Sequence, residues 1–418
     1  MSTLIKSATI IDVSSLFHSQ QKDILISNGI IEKIEDSIQV LDSYTVVTLE
    51  NLHISCGWFD TSVSFGEPGF EERESIENGL TTAAKSGFTA VAVNANTQPV
   101  IDNKSAVAFL KNKAIGFATN IYPIAALTQG SNGKEMAELY DMQQSGAIAF
   151  ADYCKPIEND NLLKIALLYA KNFNGLVLSF PKNKKISGEG VANEGINSTK
   201  LGLKGTPDLA EHLQIARDLF LLEYTDGKLH IPTITTEKSV ALIKAAKKKG
   251  LNVTSSVSAH HLFLTDNELI TFDANKKVNP PLRTKKDTKA LLKGVKNGTI
   301  DMITSDHNPI DIEHKKITFE DAKDGTIGLE SAFGAVNSLL SLEETIVSFT
   351  EKPRNRFGIK NPSIQIGEKA EITLFNPDIK YTFTEKNILS TSKNSIFIDK
   401  KLQGKAYGVF ANNQLILQ

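Results

Sequence analysis

The sequence predicts an α/β protein: a (β/α)8 TIM barrel with a small β domain that is built from both chain termini. Two observations support this prediction. Short apolar segments alternate with longer amphipathic segments along the middle of the 418-residue chain, which is the pattern of parallel strands joined by helices. The first and last stretches are β-rich and have no helical period.

The predicted barrel consists of eight strands with helices between them. Strands are predicted near Trp58–Ser62, Ala90–Asn94, Ile121–Ala125, Ala147–Ala151, Leu176–Phe180, Leu229–Ile234, Val253–Val257 and Ile300–Thr304. Helices are predicted at Glu71–Ser86, Leu162–Asn172, Pro207–Leu222, Glu237–Lys248 and Thr288–Lys296. This alternation over about 250 residues matches a closed barrel better than an open, doubly wound sheet.

The two termini supply the predicted β domain. The segments are Leu4–Val13, Ile24–Ile34, Tyr44–Leu49, Ala370–Phe375, Ser395–Ile398, Ala406–Phe410 and Gln414–Leu417. Neither terminus alone is long enough to bury one face of a sheet, so we expect them to pair with each other. The predicted divisions are 1–55 and 362–418 for the β domain and 56–361 for the barrel.

Composition excludes several classes of function. The chain has 46 basic and 48 acidic residues and a net charge of −2, so it offers no basic field for nucleic acid or an anionic membrane. No segment approaches the ~18–20 apolar residues of a membrane span. The two cysteines, Cys56 and Cys154, are too few for a disulfide framework. Residues 1–15 make a poor signal peptide, and we expect a cytoplasmic protein.

Polar residues follow most of the predicted strands, where barrels of this type build their active sites. These strand-end segments are Asp60–Gly69, Asn94–Thr97, Asp152–Lys155, Phe180–Asn183, Thr233–Thr236, His260–His261 and Ser305–Pro309. We therefore expect any functional side chains to come from them.

Several of these segments, with others nearby, resemble the longer-chain class of dihydroorotases, which are cyclic amidohydrolases of pyrimidine biosynthesis. The shared strings include Glu67–Gly69, Gly188–Gly195, Ser198–Pro207, His260–Asp266, Lys277–Arg283, Asp306–Pro309 and Gly325–Glu330. The resemblance runs from about residue 50 to residue 410. It implies an amidohydrolase-type barrel and, in active members, hydrolysis of a cyclic amide at a zinc centre.

The chain departs from this family at the start of the barrel. Active members carry Asp-x-His-x-His-x-Arg-Glu-Pro-Gly, in which the histidines bind zinc and the arginine holds the substrate carboxylate. Here Ser62 and Ser64 stand at the histidine positions and Gly66 at the arginine position. Neutral hydroxyl groups are poor ligands for zinc.

Further family zinc ligands are replaced along the barrel. The bridging carboxylate falls on Tyr153, and the remaining zinc-binding histidines fall on Phe180 and Thr233. Asp306 alone keeps the family's ligand. The resemblance therefore predicts degenerate metal positions and no bound metal or cofactor, since a single carboxylate does not hold zinc.

The substrate-side positions are divided. Asn96 and Asn279 match the family's substrate-binding residues, whereas the histidine expected after the eighth strand is Ile310. Asp306, the retained position, is the candidate catalytic residue, although without a metal there is no activated hydroxide.

Within the resembled family, non-catalytic members assemble with aspartate carbamoyltransferase and support it. The resemblance thus implies a structural or regulatory protein with that enzyme as its partner. We also expect a homodimer, because symmetric dimers are the commonest assemblies.

Two other functions remain open. One is an active dihydroorotase, converting between dihydroorotate and carbamoyl aspartate in an atypical site. The other is a sensor that binds a dihydroorotate-like ligand through Asn96, Asn279 and Arg283.

Individual residues also have simpler interpretations. Ser62 and Ser64 have no histidine on their strand to act as a base, so we expect ordinary pocket hydroxyls. His260 and His261 are expected on an extended segment, pointing to opposite sides. Asp306 and His307 could form an acid–base pair, but a structural strand end is favoured.

A rebuilt metal site is the last alternative. It would use Asp152, Tyr153, Cys154, His260 and Asp306, which together offer oxygen, sulfur and nitrogen donors. Their sequence spacing matches no known set of ligands.

Overall fold

The computed structural model describes residues 2–418, so Met1 of the predicted 1–55 segment lies outside the described residues. The strands are β1 (Ser2–Ile11), β2 (Gln21–Ser27), β3 (Ile30–Glu35), β4 (Tyr44–Val47), β5 (His53–Cys56), β6 (Trp58–Val63), β7 (Phe88–Val93), β8 (Asn120–Ala125), β9 (Ala149–Phe150), β10 (Val177–Leu178), β11 (Ala192–Asn193), β12 (Gly205–Thr206), β13 (Leu229–Ile231), β14 (Val253–Ser258), β15 (Met302–Thr304), β16 (Ile372–Thr382), β17 (Lys401–Ala411) and β18 (Gln414–Leu417).

The helices complete the chain. They are α1 (Ile76–Lys85), α2 (Lys104–Lys113), α3 (Leu139–Gln144), α4 (Asp160–Lys171), α5 (Lys184–Ser187), α6 (Ile196–Leu201), α7 (Leu209–Thr225), α8 (Glu237–Lys248), α9 (Ala259–Phe263), α10 (Lys285–Lys296), α11 (Leu329–Asn337), α12 (Leu342–Phe349) and α13 (Glu351–Phe357).

The central sheet contains eight strands in the order β15-β14-β13-β10-β9-β8-β7-β6. All of its neighbouring strands run parallel. Its two edges meet, because Val63 forms a parallel bridge with His307 and the Ser64 amide donates to the His307 carbonyl at 2.7 Å. Every predicted strand of the middle region has a counterpart, so the predicted α/β sheet is confirmed.

Side chains alternate between the two faces of this sheet, as strand geometry requires. On β6 and β7, Trp58 and Val91 pack in the large cluster with the helices, whereas Phe59, Ala90 and Ala92 belong to a second cluster. The second cluster is rich in alanine, which leaves room for neighbouring strands to curve toward one another.

The terminal sheet also has eight strands, in the order β18-β17-β16-β5-β1-β2-β3 with β4 paired to β1. The two termini join where β5 and β16 pair antiparallel, with Ile54 opposite Leu374. The prediction that the termini share one β layer therefore agrees with the strand pairing. The exact domain divisions stay predictions.

Trp58 connects the two sheets. Its ring lies 4.6 Å from that of Phe333 on α11 and 5.5 Å from that of Phe375 on β16, between ring centroids. The indole nitrogen donates to Ser55 Oγ at 2.9 Å. A buried aromatic group of this size contributes strongly to packing, so the barrel and the terminal sheet share part of one core.

Three local predictions differ from the structure. Ser395–Ile398 is not a strand: Ser395 forms one bridge with Ile327, and Ile396 and Phe397 are buried in a turn. Helix α1 begins at Ile76 rather than Glu71, because Ser75 caps it by accepting from the Asn78 amide. The named predictions cover α1, α4, α7, α8 and α10, and the remaining helices, including α11 to α13, were not among them. Separately, within residues 2–418 no helix combines the length and apolar character that a membrane crossing requires.

Candidate active site

The carboxyl ends of the parallel strands bring most of the predicted site residues together. A small cavity of about 30 Å³ is lined by residues on or just after seven of the eight central strands, β6, β7, β9, β10, β13, β14 and β15. They include Ser62, Asn94, Tyr153, Phe180, Thr233 and Asp306. The cavity has room for about one or two water molecules, which leaves little free space at the degenerate metal positions.

Asp306 forms a closed network with hydroxyl groups. Its Oδ1 accepts from Ser62 Oγ at 2.9 Å and from Tyr153 Oη at 3.2 Å. The Asn94 amide nitrogen in turn donates to Ser62 Oγ at 3.1 Å and contacts Ser64 Oγ at 3.4 Å. The side chains at the family's metal positions thus bond to one another.

Burial changes the titration of this network. Asp306 is 7% exposed, and its burial raises the pKa of the carboxyl to about 6, although the hydrogen bonds from Ser62 and Tyr153 act in the opposite direction. Burial also raises the pKa of the Tyr153 phenol well above its usual value, with the Asp306 charge adding to the effect. Tyr153 is therefore a neutral donor, and Asp306 titrates close to neutral pH.

Two neighbouring carboxylates, Asp60 and the cavity-lining Asp152, are hydrogen-bonded to the backbone. Asp60 accepts from the amides of Ser62 and Ser305 at 3.2 and 3.0 Å. Asp152 accepts from the amides of Leu127 and Thr128, both at 3.0 Å. These bonds fix the ends of the strands, so neither carboxylate is free to replace a lost ligand.

The positions of the two other lost histidines are equally unsuited to metal. The Phe180 ring is buried and has no donor atom. Thr233 lies beside it, and its amide donates to Ser256 Oγ at 3.2 Å. Both ring nitrogens of the surviving His230 are hydrogen-bonded to hydroxyl groups, to that of Thr254 at 2.9 Å and to that of Ser256 at 3.1 Å.

Gly66, at the family's arginine position, has no room for a side chain. A Cβ atom there would lie 1.8 Å from the carbonyl oxygen of Phe70. The Gly66 amide donates to the Glu74 carbonyl at 2.8 Å, and its own carbonyl accepts from the Phe70 amide at 2.9 Å. Backbone atoms of this loop occupy the space that a substrate-binding side chain would need.

Other histidines near the barrel mouth have structural roles. His307 Nδ1 accepts from the Gly328 amide at 3.1 Å, at the start of α11, and burial lowers the pKa of His307 to about 4. The interpretation of Asp306 and His307 as an acid–base pair therefore lacks support.

His260 and His261 are on helix α9, not on an extended segment, so the expectation that they point to opposite sides is wrong. Their rings are 4.5 Å apart between centroids. His261 Nε2 lies 3.0 Å from the Pro280 carbonyl. Both side chains are buried, which agrees with a structural role.

The three residues of the predicted sensor site, Asn96, Asn279 and Arg283, do not line one common cavity. Arg283 is buried and donates to Asn193 Oδ1 at 2.8 Å and to the Thr206 carbonyl at 2.9 Å. These bonds hold the β11–β12 ribbon. Asn279 Oδ1 accepts from Lys182 Nζ at 3.1 Å, and Asn96 lies outside the cavities that contain Asn279 or Asp306.

The side chains present do not fit a zinc ion. Zinc in proteins takes thiolate, imidazole and carboxylate donors, usually four. Around Asp306 the cavity wall offers mainly hydroxyls, an amide and a benzene ring, and its other possible donors, Asp152, Cys154 and His230, form no metal-holding group with Asp306. Across residues 2–418, no three His, Cys, Asp or Glu side chains form a group that could hold a metal, so Asp152, Cys154, His260 and Asp306 do not assemble into the rebuilt site considered above.

Sequence reasoning overlooked Asn94 and Lys182 as site residues. Asn94 links Ser62 and Ser64, and Lys182 contacts Asn279. Asn94 is the last residue of one predicted strand and Lys182 lies two residues after another, so position along the chain was the signal that could have identified them.

The chain has the fold of solved hydantoinases and dihydropyrimidinases. An L-hydantoinase (dihydropyrimidinase) from Arthrobacter aurescens superimposes with a TM-score of 0.84 at 20% identity, covering 100% of this chain and 96% of that one. A dihydropyrimidinase from Brevibacillus agri gives 0.84 at 20% identity, covering 100% and 95%. At this identity the likeness establishes the fold alone.

Sequence comparison defines the family more narrowly. A Dihydro-orotase-like family model matches residues 53–239. A dihydroorotase of Ruminiclostridium cellulolyticum is 39% identical over 413 residues, covering 97% of this chain and 96% of its own. A dihydroorotase of Pelotomaculum thermopropionicum is 37% identical over 424 residues, covering 100% and 99%. The chain belongs to the dihydroorotase family of pyrimidine biosynthesis.

Proposed function

We propose that this chain has lost the zinc site and hydrolase activity of its family and acts as a structural or regulatory partner of aspartate carbamoyltransferase. The observation that supports the loss is the bonding of Asp306 to the hydroxyls of Ser62 and Tyr153. The partner is inferred from the resemblance to non-catalytic family members.

The chemistry of amide hydrolysis explains why this network matters. In the family, zinc supplies a hydroxide nucleophile and polarises the carbonyl, and such contributions are worth several kcal/mol of barrier. Ser62 cannot replace the hydroxide without a base that removes its proton. Its hydroxyl instead donates to Asp306 and accepts from Asn94.

Conservation of the scaffold beside this altered centre favours a role in assembly. Identity to dihydroorotases extends over almost the whole chain, although the metal positions differ. In this proposal the protein is cytoplasmic and homodimeric, binds no metal, and works beside a separate, active dihydroorotase.

Association with the transferase tests the partner directly. Sedimentation velocity of an equimolar mixture at micromolar concentration is expected to show a complex larger than either protein alone. Each protein measured alone and the chain mixed with serum albumin serve as controls. A mixture that sediments as two independent species contradicts the proposed partnership.

A second candidate is an active dihydroorotase with an atypical site. It is favoured by the name of the relatives at 37–39% identity and by the pKa of about 6 for Asp306, which suits general acid–base work near neutral pH. Turnover of dihydroorotate that disappears in Asp306→Ala, together with stoichiometric zinc, would establish this candidate instead.

A further inference from the structure

A second and much larger cavity, of about 470 Å³, opens beside the pocket that contains Asp306. Its wall includes Ser131, Asn132, Cys154, Lys155, Lys182 and Asn279. The volume falls within the roughly 300–1,000 Å³ of pockets that bind small molecules. The cavity can therefore hold a metabolite, whereas the Asp306 pocket cannot.

Lys182 is the unusual group in this wall. Its ammonium nitrogen donates to a neutral acceptor, Asn279 Oδ1, at 3.1 Å. Among residues 2–418, no carboxylate lies within 4.0 Å of this nitrogen to form an ion pair. Burial lowers the pKa of the Lys182 ammonium, while the more distant Asp324 partly opposes the change. An ammonium has three donors, so Lys182 can still bind other acceptors.

The charged side chains of the wall, Lys155, Lys182 and Lys184 against Asp152 and Glu158, leave one positive charge in excess. Lys155 donates to the Ser131 carbonyl at 3.1 Å, which leaves its charge uncompensated by that contact. Lys184 lies 3.8 Å from Glu158. Asp152 already accepts from two backbone amides and the Thr128 hydroxyl. A partly desolvated cation with no carboxylate in direct contact is costly, and an anion in the cavity would relieve that cost.

We propose that this cavity binds a small metabolite through its oxyanion group, a carboxylate or a phosphate, with Lys182 as the direct counter-charge. The Asn279 amide adds a second donor, because its oxygen accepts from Lys182 and its NH2 group remains for the ligand. Lys182 is not one of the family's substrate-binding residues. It lies two positions after Phe180, which stands where the family has a zinc-binding histidine.

This inference goes beyond the proposed function, because anion binding requires neither the loss of zinc nor the transferase. It also differs from the predicted sensor, since Arg283 is committed to the β11–β12 ribbon. A failed binding experiment therefore leaves the proposed partnership intact, and a failed association experiment leaves the anion site intact.

Calorimetry and thermal denaturation test the site with inorganic phosphate and with succinate, against sodium chloride at matched ionic strength. We expect one of the two oxyanions to bind and to raise Tm, since a ligand of the native state stabilises it. Lys182→Met should weaken that Kd at least tenfold. Lys244→Met, at an exposed position on α8, should leave it unchanged.

Chemical modification of the unaltered protein supplies a measurement that does not depend on folding of the variant. Reductive methylation followed by mass spectrometry should modify Lys182 readily without anion and at least threefold more slowly in the anion that binds. Binding of phosphate identifies a phosphoryl ligand, and binding of succinate identifies a carboxylate. Equal Kd values for the native chain and Lys182→Met, or no response to either anion beyond that to chloride, would overturn the proposal.

Discussion

Asp306 combines deep burial with a pKa of about 6, and the folded state therefore carries a pH-dependent cost at this one residue. The folded pKa is raised above that of the unfolded chain, near 4. The folded state binds the proton more tightly, so stability falls as pH rises from about 4 to about 6 and then levels off. At neutral pH the ionised carboxylate depends on the Ser62 and Tyr153 hydroxyls.

Replacement of Asp306 by asparagine should remove this pH dependence. The free energy of unfolding of Asp306→Asn relative to the native chain should rise by up to about 3 kcal/mol between pH 4 and pH 7. Urea denaturation at the two pH values measures it. Asp42→Asn, at an exposed position, is the control; a parallel pH response in the native chain and Asp306→Asn would contradict the raised pKa.

Gly66 gives a second prediction for a single residue. Gly66→Ala should destabilise the fold by about 3 kcal/mol or more, because the added Cβ would overlap the Phe70 backbone. Gly195→Ala is the matched control, since its Cβ would meet only the Asn193 side chain at 3.7 Å. Similar unfolding midpoints for the two variants would show that the Gly66 loop moves freely.

The composition of the site could be predicted from the sequence, but its bonding could not. Ser62, Tyr153, Phe180, Thr233 and Asp306 were placed at the barrel mouth because parallel strands end at one edge. The sequence contains no sign of which hydroxyl bonds to which carboxylate, since these contacts join residues as far apart as Ser62 and Asp306. The sequence identifies Gly66 as the position of the family's arginine, whereas the lack of space for a side chain there depends on the backbone of Phe70 and Glu74.

At the level of elements, local signals determined how accurately boundaries could be predicted. Helix α8 occupies the predicted Glu237–Lys248, because Thr236 supplies a clear N-cap. The apolar segment Ser395–Ile398 resembles a strand, but its buried residues pack in a turn. Burial of apolar side chains does not distinguish a strand from an irregular core segment.

One helix holds the terminal sheet and the barrel together through a buried ion pair. Arg354 on α13 donates to the Glu371 carboxylate and to the Gly57 carbonyl, the latter at 3.1 Å. Arg354→Gln should cost about 3–5 kcal/mol of unfolding free energy, because Glu371 would keep a charge without its partner. Urea denaturation measures the cost.

Lys171→Gln is the control for that experiment. Lys171 pairs with Asp226 at 2.8 Å, but both side chains are largely exposed, and exposed pairs contribute little to stability. An Arg354→Gln variant no less stable than Lys171→Gln would indicate that α13 does not couple the two sheets.

For the whole molecule, the proposed function requires that the chain keeps the family's scaffold without its zinc chemistry. The chain keeps a dihydroorotase fold over nearly its full length, with an altered set of side chains at the barrel mouth. If the native state binds no metal, a chelator should leave its free energy of unfolding unchanged, because a metal stabilises the fold only when it is bound to the native state.

Chelator treatment tests this expectation for the intact protein. Dialysis against EDTA should change Tm by less than about 1 °C, whereas release of a tightly bound ion would lower it by several degrees. Addition of zinc to the dialysed protein is the complementary control. A Tm that falls in EDTA and recovers with zinc would indicate a structural metal.

The most direct measurement is the zinc content of gently purified protein, made together with an assay of dihydroorotate hydrolysis. We expect less than about 0.1 zinc per chain and no turnover above background, because Asp306 is surrounded by hydroxyls rather than zinc ligands. One zinc per chain, with hydrolysis that is abolished in Asp306→Ala, would contradict the loss of the metal centre.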